Sequence, residues 1–161
     1  MNTDEAWKMP PIAKVYEALG ALSDGRVQIE SATHARVTSS AGDKVYEVES
    51  TTDGRTISSN DNASYWQGYL GYPAIAVMLA RGLYHPDAAV LAALGGIAWK
   101  DLNRRHHNNY DRATADVIAA AERAGHDPER IKAEAEAVLA AVRALAPLRG
   151  PRRRPPRVTP K

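Results

Sequence analysis

The 161-residue chain contains no cysteine and no phenylalanine. The absence of cysteine excludes disulfide bonds, thiolate metal sites and catalysis by a thiol. No apolar run approaches the roughly 20 residues that span a bilayer, and the N-terminus lacks the basic-then-apolar pattern of a signal peptide. We therefore expect a cytoplasmic protein with no membrane partner, and the length suits one domain with an appendage.

Motifs of the common enzyme classes are also missing. There is no P-loop, no glycine-rich dinucleotide fingerprint, no G-x-S-x-G elbow and no helical pair of histidines with a glutamate between them. His106, His107 and Asp111 match a short H-H-x-x-x-D string. However, adjacent histidines on a helix point about 100° apart and rarely share an ion. Hence we predict a protein that is not an enzyme and needs no metal or cofactor.

Basic residues are concentrated at the C-terminus, although the net charge of the whole chain is only +2. The last residues, PLRGPRRRPPRVTPK, contain six basic residues, no acidic residue and five of the ten prolines. Because proline breaks helices and arginine resists burial, we predict a disordered tail over residues 148–161. Such clusters are typical of an electrostatic arm for nucleic acid, and a solubilising tail is the alternative.

The periodicity of the remaining chain predicts an α+β fold. Residues 10–22 have the apolar spacing of a helix, and turns that contain glycine then separate four segments of alternating polarity. This order favours a small antiparallel β-meander packed on helices. The predicted strands are 26–30, 33–39, 44–50 and 55–58, and the later helices are 73–81, 86–95, 99–107, 110–124 and 128–146.

The last predicted helix carries one continuous apolar stripe, which recurs every three or four residues. A stripe of this period can pack inside its own chain or form a seam with a second copy. We predict a homodimer through the C-terminal helices, with an intramolecular helical hairpin as the alternative. The stripe consists of Ile131, Ala135, Val138, Val142 and Leu145. The predicted organisation is a nucleic-acid-binding domain over 1–109, a helical dimerisation segment over 110–147 and the tail over 148–161.

The segment SSNDNASYWQGYLGYPAIAVML, residues 58–79, contains the densest group of aromatic residues. Tyr65, Trp66, Tyr69 and Tyr72 lie within eight residues, after a polar turn and before an apolar helix. Rings at this density form either a core or a platform on which flat groups stack. Base stacking on exposed rings, together with cations along the phosphates, is how proteins bind single-stranded nucleic acid.

Other rings and cations are candidates for the same surface. Tyr46 and Lys44 alternate on the third strand and therefore point to the same side of the sheet. Core packing is the alternative for Tyr46 and Tyr72, and a solvated helix face is the alternative for Arg104 and Arg105. The full set of predicted nucleic-acid-binding residues is Tyr65, Trp66, Tyr69, Tyr72, Tyr46, Lys44, Arg36, Arg55, Arg81, Lys100, Arg104 and Arg105.

The meander and the aromatic segment together resemble the SWIM zinc module over about 45 residues. The positions that correspond to its zinc ligands are Ser58, Asn60, Gly71 and Pro73, and these residue types cannot replace cysteine and histidine on zinc. The resemblance therefore implies a metal-free version in which aromatic residues take the place of the ion.

The layout of nearly the whole chain is similar to that of the ThermoDBP group of archaeal single-stranded DNA-binding proteins. The shared features are an N-terminal helix, a small sheet, the segment SNDNASYWQGYLGYPAIAV, the short basic helix AWKDLNRRHH and an alanine-rich C-terminal helix. This resemblance implies a cleft flanked by basic residues, dimerisation through C-terminal helices and binding of single-stranded DNA without sequence specificity.

Three alternatives remain open at this point. RNA is not distinguished from DNA, because stacking tolerates both. The aromatic patch could serve a protein–protein adaptor, since tyrosine and tryptophan are also enriched at protein interfaces. An RNA-associated factor could bind mainly through the basic tail.

Overall fold

Four strands pair in the order in which they occur along the chain. The computed structural model describes residues 5–156. The strands are β1 (Val27–Ile29), β2 (His34–Thr38), β3 (Val45–Ser50) and β4 (Thr56–Ser59), and each pairs antiparallel with the next. Their register places Val37 opposite Tyr46 and Ala35 opposite Val48. The predicted antiparallel meander and the α+β class are confirmed.

Most of the helices begin where the sequence places proline or a capping side chain. The carboxylate of Asp127 accepts a hydrogen bond from the Glu129 N–H, and Pro128 follows it as the first helical residue. Among residues 5–156, none of the helices is both long and apolar enough to cross a membrane. The α-helices are α1 (Ile12–Ser23), α2 (Tyr72–Ala80), α3 (Ala88–Ala93), α4 (Trp99–Arg105), α5 (Tyr110–Arg123) and α6 (Pro128–Leu145), and a π-helical turn covers Ala63–Gln67.

Helix α2 lies between one face of the sheet and helix α1. Ala35 and Val37 on β2 and Val48 on β3 point towards it and are buried, while Arg36 between them is exposed on the other face. Every residue of α2 from Pro73 to Leu79 is buried. A helix that packs on both sides must be apolar all round, which explains why α2 lacks the polar face of a surface helix.

The apolar stripe of α6 packs inside its own chain. Ile131, Ala135, Val138 and Val142 are at most 1% exposed, and α6 packs against α1, α3 and α5. The intramolecular alternative therefore accounts for the stripe, which no longer argues for a dimer; the dimer itself stays a prediction. The buried apolar residues also form one cluster on both sides of residue 109, with Leu102 and Val117 as members.

Residues 148–161, the basic segment that was predicted to be a disordered tail, begin as part of the sheet. The sequence did not predict this pairing. Strand β5 (Leu148–Arg149) pairs parallel with β4. The Leu148 N–H donates to the Arg55 carbonyl at 2.7 Å, and the Gly150 N–H donates to the Ile57 carbonyl at 2.9 Å. Without this pairing β4 would be an edge strand with free backbone groups. Hydrogen bonding to these groups outweighs the preference of the proline- and arginine-rich segment for disorder. Residues 148–150 are therefore ordered, unlike the predicted tail over residues 148–161, and residues 157–161 lie outside the described residues.

We expect deletion of residues 148–161 to destabilise the protein. The deletion removes the hydrogen bonds from Leu148 and Gly150 and the bond from the Arg149 N–H to the Glu5 carbonyl. At about 0.5–1.5 kcal/mol each, these three bonds predict a loss of roughly 1.5–4.5 kcal/mol in the free energy of unfolding. Urea denaturation measures it. Deletion of residues 157–161 alone is the control, because it removes none of the described bonds; equal stability of both truncated proteins would contradict the prediction.

Candidate nucleic-acid interface

A cleft of about 620 Å³ opens between α1, the start of β3, the aromatic segment and the helices α4 and α5. In the structure, the aromatic segment is the part of residues 58–79 that carries the rings, namely residues 63–72. Volumes of 300–1,000 Å³ are typical of sites that bind small ligands. Six of the ten aromatic residues of the chain line the cleft: Tyr46, Trp66, Tyr69, Tyr72, Trp99 and Tyr110.

Half of the predicted binding residues meet in this cleft. They come from distant parts of the sequence and are Lys44, Tyr46, Trp66, Tyr69, Tyr72 and Lys100. Lys44 and Tyr46 point to the same side of the sheet, as their alternation on the third strand predicted. Tyr65 does not line the cleft, although it lies beside Trp66 in the aromatic segment.

Trp66 is the ring that the fold leaves most open. Its side chain is 67% exposed, whereas Trp99 is only 4% exposed. The Tyr65 ring packs edge-on against the Trp66 ring with 4.6 Å between their centroids. The guanidinium group of Arg152 lies 4.1 Å from the centre of the Tyr65 ring and donates to the Tyr65 carbonyl at 2.8 Å. The basic segment therefore reaches the aromatic segment and fixes the ring next to Trp66.

Two partly buried tyrosines form one wall of the cleft. The rings of Tyr46 and Tyr72 meet edge to face at 6.1 Å between centroids. Burial, together with the nearby Asp61, Asp43 and Glu17 carboxylates, raises the pKa of the Tyr46 phenol to about 12. Burial also raises the pKa of the Tyr72 phenol, again with a contribution from its neighbour Tyr46. Both phenols stay neutral at physiological pH, so each can donate a hydrogen bond.

The buried carboxylate of Asp61 fixes the start of the aromatic segment. One carboxylate oxygen accepts from the Ser59 hydroxyl at 2.5 Å and the Ser64 hydroxyl at 2.7 Å, and the other accepts from the Ser64 N–H at 3.1 Å. The Ser64 hydroxyl in turn accepts from the Gly71 N–H at 3.2 Å. A Cβ atom on Gly71 would lie 1.9 Å from an Asp61 oxygen, so only glycine fits there. This network joins the end of β4 to the start of α2.

A charged pair on α1 lies in the cleft and was missed by the sequence analysis. The Lys14 ammonium lies 3.4 Å from the Glu17 carboxylate, and their side chains are 11% and 7% exposed. The same ammonium lies 4.3 Å above the centre of the Tyr110 ring, and the Asn103 amide donates to Glu17 at 2.7 Å. The available signal was two charged residues, three apart, on an otherwise apolar helix.

Lys14 keeps its charge despite this burial. Burial is the largest single influence and lowers the pKa of the ammonium group. Glu17, Tyr110 and Tyr69 together raise it by more, so the net pKa lies above its ordinary value. The cleft therefore contains a desolvated ammonium group beside a carboxylate at neutral pH.

The charges that line the cleft are nearly balanced. Four basic side chains, Lys14, Arg26, Lys44 and Lys100, face three carboxylates, Glu17, Asp43 and Asp61. The Lys100 ammonium pairs with Asp43 at 2.5 Å. This pair and a hydrogen bond from Ser39 lower the pKa of the Asp43 carboxyl. Lys44 makes no ion pair with any residue in the described part of the chain. The excess of positive charge in the cleft is thus smaller than the sequence predicts.

Five predicted cations lie away from the cleft. Arg36 is on the opposite face of the sheet, where its guanidinium group pairs with Glu30 at 3.1 Å. Arg81 ends α2 and donates to the Ser31 carbonyl at 2.8 Å. The others are exposed in the turn before β4 and in the last turn of α4, and these are Arg55, Arg104 and Arg105. The structure does not bring these five side chains together with the aromatic rings.

The histidine string has a local partner of its own. The His106 ring contacts the Asp116 carboxylate at 2.6 Å, one helix turn and a half beyond Asp111. Across residues 5–156, no three histidine or carboxylate side chains cluster in a way that could hold a metal ion.

The chain belongs to the family described as uncharacterised conserved protein UCP014422, whose model matches residues 7–147. No curated protein and no solved structure matches the chain. The matched residues include the sheet strands β1–β4, all six helices and every residue that lines the cleft. The family description states no activity, and the resemblances to the ThermoDBP group and to the SWIM module stay predictions.

We expect Gly71→Ala to destabilise the protein through Asp61. The backbone at Gly71 (φ −75°, ψ 177°) is open to any residue, so the cost is steric. Overpacking of this kind costs about 1–3 kcal/mol. Urea denaturation of Gly71→Ala, Asp61→Ala and the double variant tests the mechanism, because the methyl group should cost little once the carboxylate is gone. An equal cost of Gly71→Ala in both backgrounds would contradict it.

The raised pKa of Tyr46 predicts a loss of stability at high pH. An unfolded chain ionises this phenol near pH 10, whereas the folded protein holds the proton until about pH 12. The contribution is complete below pH 10 and is lost as the pH rises through this interval. The free energy of unfolding should therefore fall less steeply between pH 10 and pH 12 in Tyr46→Phe than in the wild type. Equal slopes in urea denaturation would contradict the prediction.

Proposed function

We propose that the protein binds single-stranded DNA without strong sequence specificity, with its bases stacked on the rings of the cleft. The observation that carries the proposal is Trp66, a tryptophan that is 67% exposed beside a cleft lined by five further aromatic residues. A large apolar ring at such exposure is unexplained by packing within the chain. Every base has a flat face, so a platform of this kind accepts any sequence.

The cations around the cleft suit the phosphates of such a strand. Lys44 lies on the wall beside Tyr46 and is free of ion pairs within the described residues. The exposed Arg152 stacks on Tyr65, next to Trp66, with its guanidinium group 6.0 Å from the centre of the Trp66 ring. Phosphates that follow bases stacked on Trp66 would meet these two cations.

The near balance of charge inside the cleft separates two roles. Glu17, Asp43 and Asp61 would repel a phosphate placed deep in the cleft. Neutral bases avoid this repulsion and gain from contact with the tyrosine rings. We therefore place bases inside the cleft and the backbone along its outer edge, on the side of Lys44 and Arg152.

Trp66→Ala should weaken binding of an oligo-dT strand without changing the stability of the fold. Loss of one stacking platform costs roughly 1–3 kcal/mol of binding free energy. Removal of an exposed side chain changes the free energy of unfolding by about 0.5 kcal/mol or less. Fluorescence anisotropy of a labelled oligo-dT measures binding, and quenching of tryptophan fluorescence in the wild type reports contact with the ring.

Ile29→Ala is the matched control, because Ile29 is another large exposed apolar residue, 46% exposed on β1 away from the cleft. It should bind as the wild type does.

Affinity of the wild type for the strand should also fall steeply with salt, by about 0.7 logarithmic units per phosphate contact for each tenfold rise in salt. Absence of quenching and of binding at low salt, in protein shown to be folded, would overturn the proposal in favour of a protein partner for the aromatic patch.

A further inference from the structure

The buried pair Lys14 and Glu17 has no role in stacking or in phosphate binding. Both side chains line the cleft, yet they are 11% and 7% exposed. Burial of two charges is costly and is rarely repaid by their mutual attraction alone. The distance between ammonium and carboxylate, 3.4 Å, is longer than an ordinary hydrogen bond of 2.7–3.2 Å. Attraction between the two groups alone therefore does not explain why both charges are buried beside a cavity.

Both groups retain hydrogen-bonding capacity towards the cleft. The Lys14 ammonium has three N–H donors, and its described contacts are Glu17 and the face of the Tyr110 ring. The Glu17 carboxylate can accept about four hydrogen bonds, and its described donors are Lys14 and the Asn103 amide. Buried polar groups are normally satisfied by protein or by water, so the unused capacity beside this cavity is available to a ligand.

The geometry of donors and acceptors selects one nucleobase. A carboxylate binds best to two adjacent N–H groups, one for each oxygen, and the ammonium beside it needs an acceptor. The pairing edge of guanine presents N1–H and the 2-amino group side by side, with the O6 carbonyl next to them. Adenine, cytosine and thymine each place a ring nitrogen or carbonyl acceptor where the carboxylate requires a donor.

We propose that the floor of the cleft is a guanine-binding subsite, in which Glu17 accepts hydrogen bonds from N1–H and the 2-amino group and Lys14 donates to O6. The inference rests on the proposed function and adds a preference at one position of an otherwise non-specific strand. Asn103 positions the Glu17 carboxylate, and Tyr110 positions the Lys14 ammonium.

The test uses the full chain and labelled 13-nucleotide dC strands in fluorescence anisotropy. A strand with one central guanine should bind about tenfold more tightly than the plain dC strand, which is within the usual discrimination of a two-bond base contact. Strands with central adenine or O6-methylguanine should bind as the plain strand does. O6-methylguanine keeps the stacking rings of guanine, adds one methyl group and loses the N1–H donor and the carbonyl, so it tests the edge contact even if a variant fails to fold.

Glu17→Gln and Lys14→Met should remove the guanine advantage while leaving binding of the plain dC strand within about twofold. Glu122→Gln, at an exposed position on α5 outside the cleft, should keep the full advantage. Circular dichroism and thermal melting show whether each variant is folded.

The outcomes separate the two proposals. Strands that all bind equally well would overturn the guanine subsite and leave strand binding intact. Failure of every strand to bind would overturn both. Equal affinity for guanine and O6-methylguanine would show that size or stacking, rather than the base edge, gives the preference. Free guanosine monophosphate that binds as tightly as the guanine strand, with the same loss in Glu17→Gln, would uphold the subsite and overturn the strand as its ligand.

Discussion

The arrangement of the cleft depends on one buried carboxylate. Asp61 receives hydrogen bonds from Ser59 and Ser64, at the end of β4 and inside the π-helical turn, and its oxygen occupies the space that a side chain on Gly71 would need. A buried charge without partners would be unfavourable, so these donors are required for the fold as much as for the site. Through them the last strand of the meander, the aromatic segment and helix α2 take up one fixed arrangement, which leaves the Trp66 ring outside while Leu70 enters the core.

The residues around the cleft are not packed as in an ordinary apolar core. Helix α1 is buried along its length, yet it carries Lys14 and Glu17 in the middle of its apolar surface. The Tyr46 and Tyr72 rings contact each other but also face open space. Such departures from apolar packing reduce stability and are typical of functional sites. At the opposite end of α1, Gly20 lies against the Trp99 indole, and a methyl group there would approach its nitrogen to 2.8 Å.

Local patterns in the sequence predicted the elements, but long-range contacts decided the site. Alternation and glycine turns placed all four meander strands within one or two residues, and Pro73, Gly125 and Pro128 marked helix ends correctly. The aromatic segment and the shared orientation of Lys44 and Tyr46 were also predictable. The sequence could not reveal that Arg36 and Tyr46 lie on opposite faces of the sheet, because this depends on the register of β2 and β3, which places Val37 opposite Tyr46. Nor could composition reveal that Leu148 pairs with the edge strand β4, because the two strands lie almost 100 residues apart in the sequence.

Both ends of the described chain meet beside β4. The Arg149 N–H donates to the Glu5 carbonyl, the Trp7 indole donates to the Ile57 carbonyl, and the Arg149 guanidinium group lies 4.6 Å from the centre of the Trp7 ring. From there the chain continues to Arg152 on the Tyr65 ring. Fusion partners and affinity tags at either terminus would consequently be tethered within a short distance of the cleft, so recombinant protein for ligand screening is best studied after the added sequence has been cleaved away.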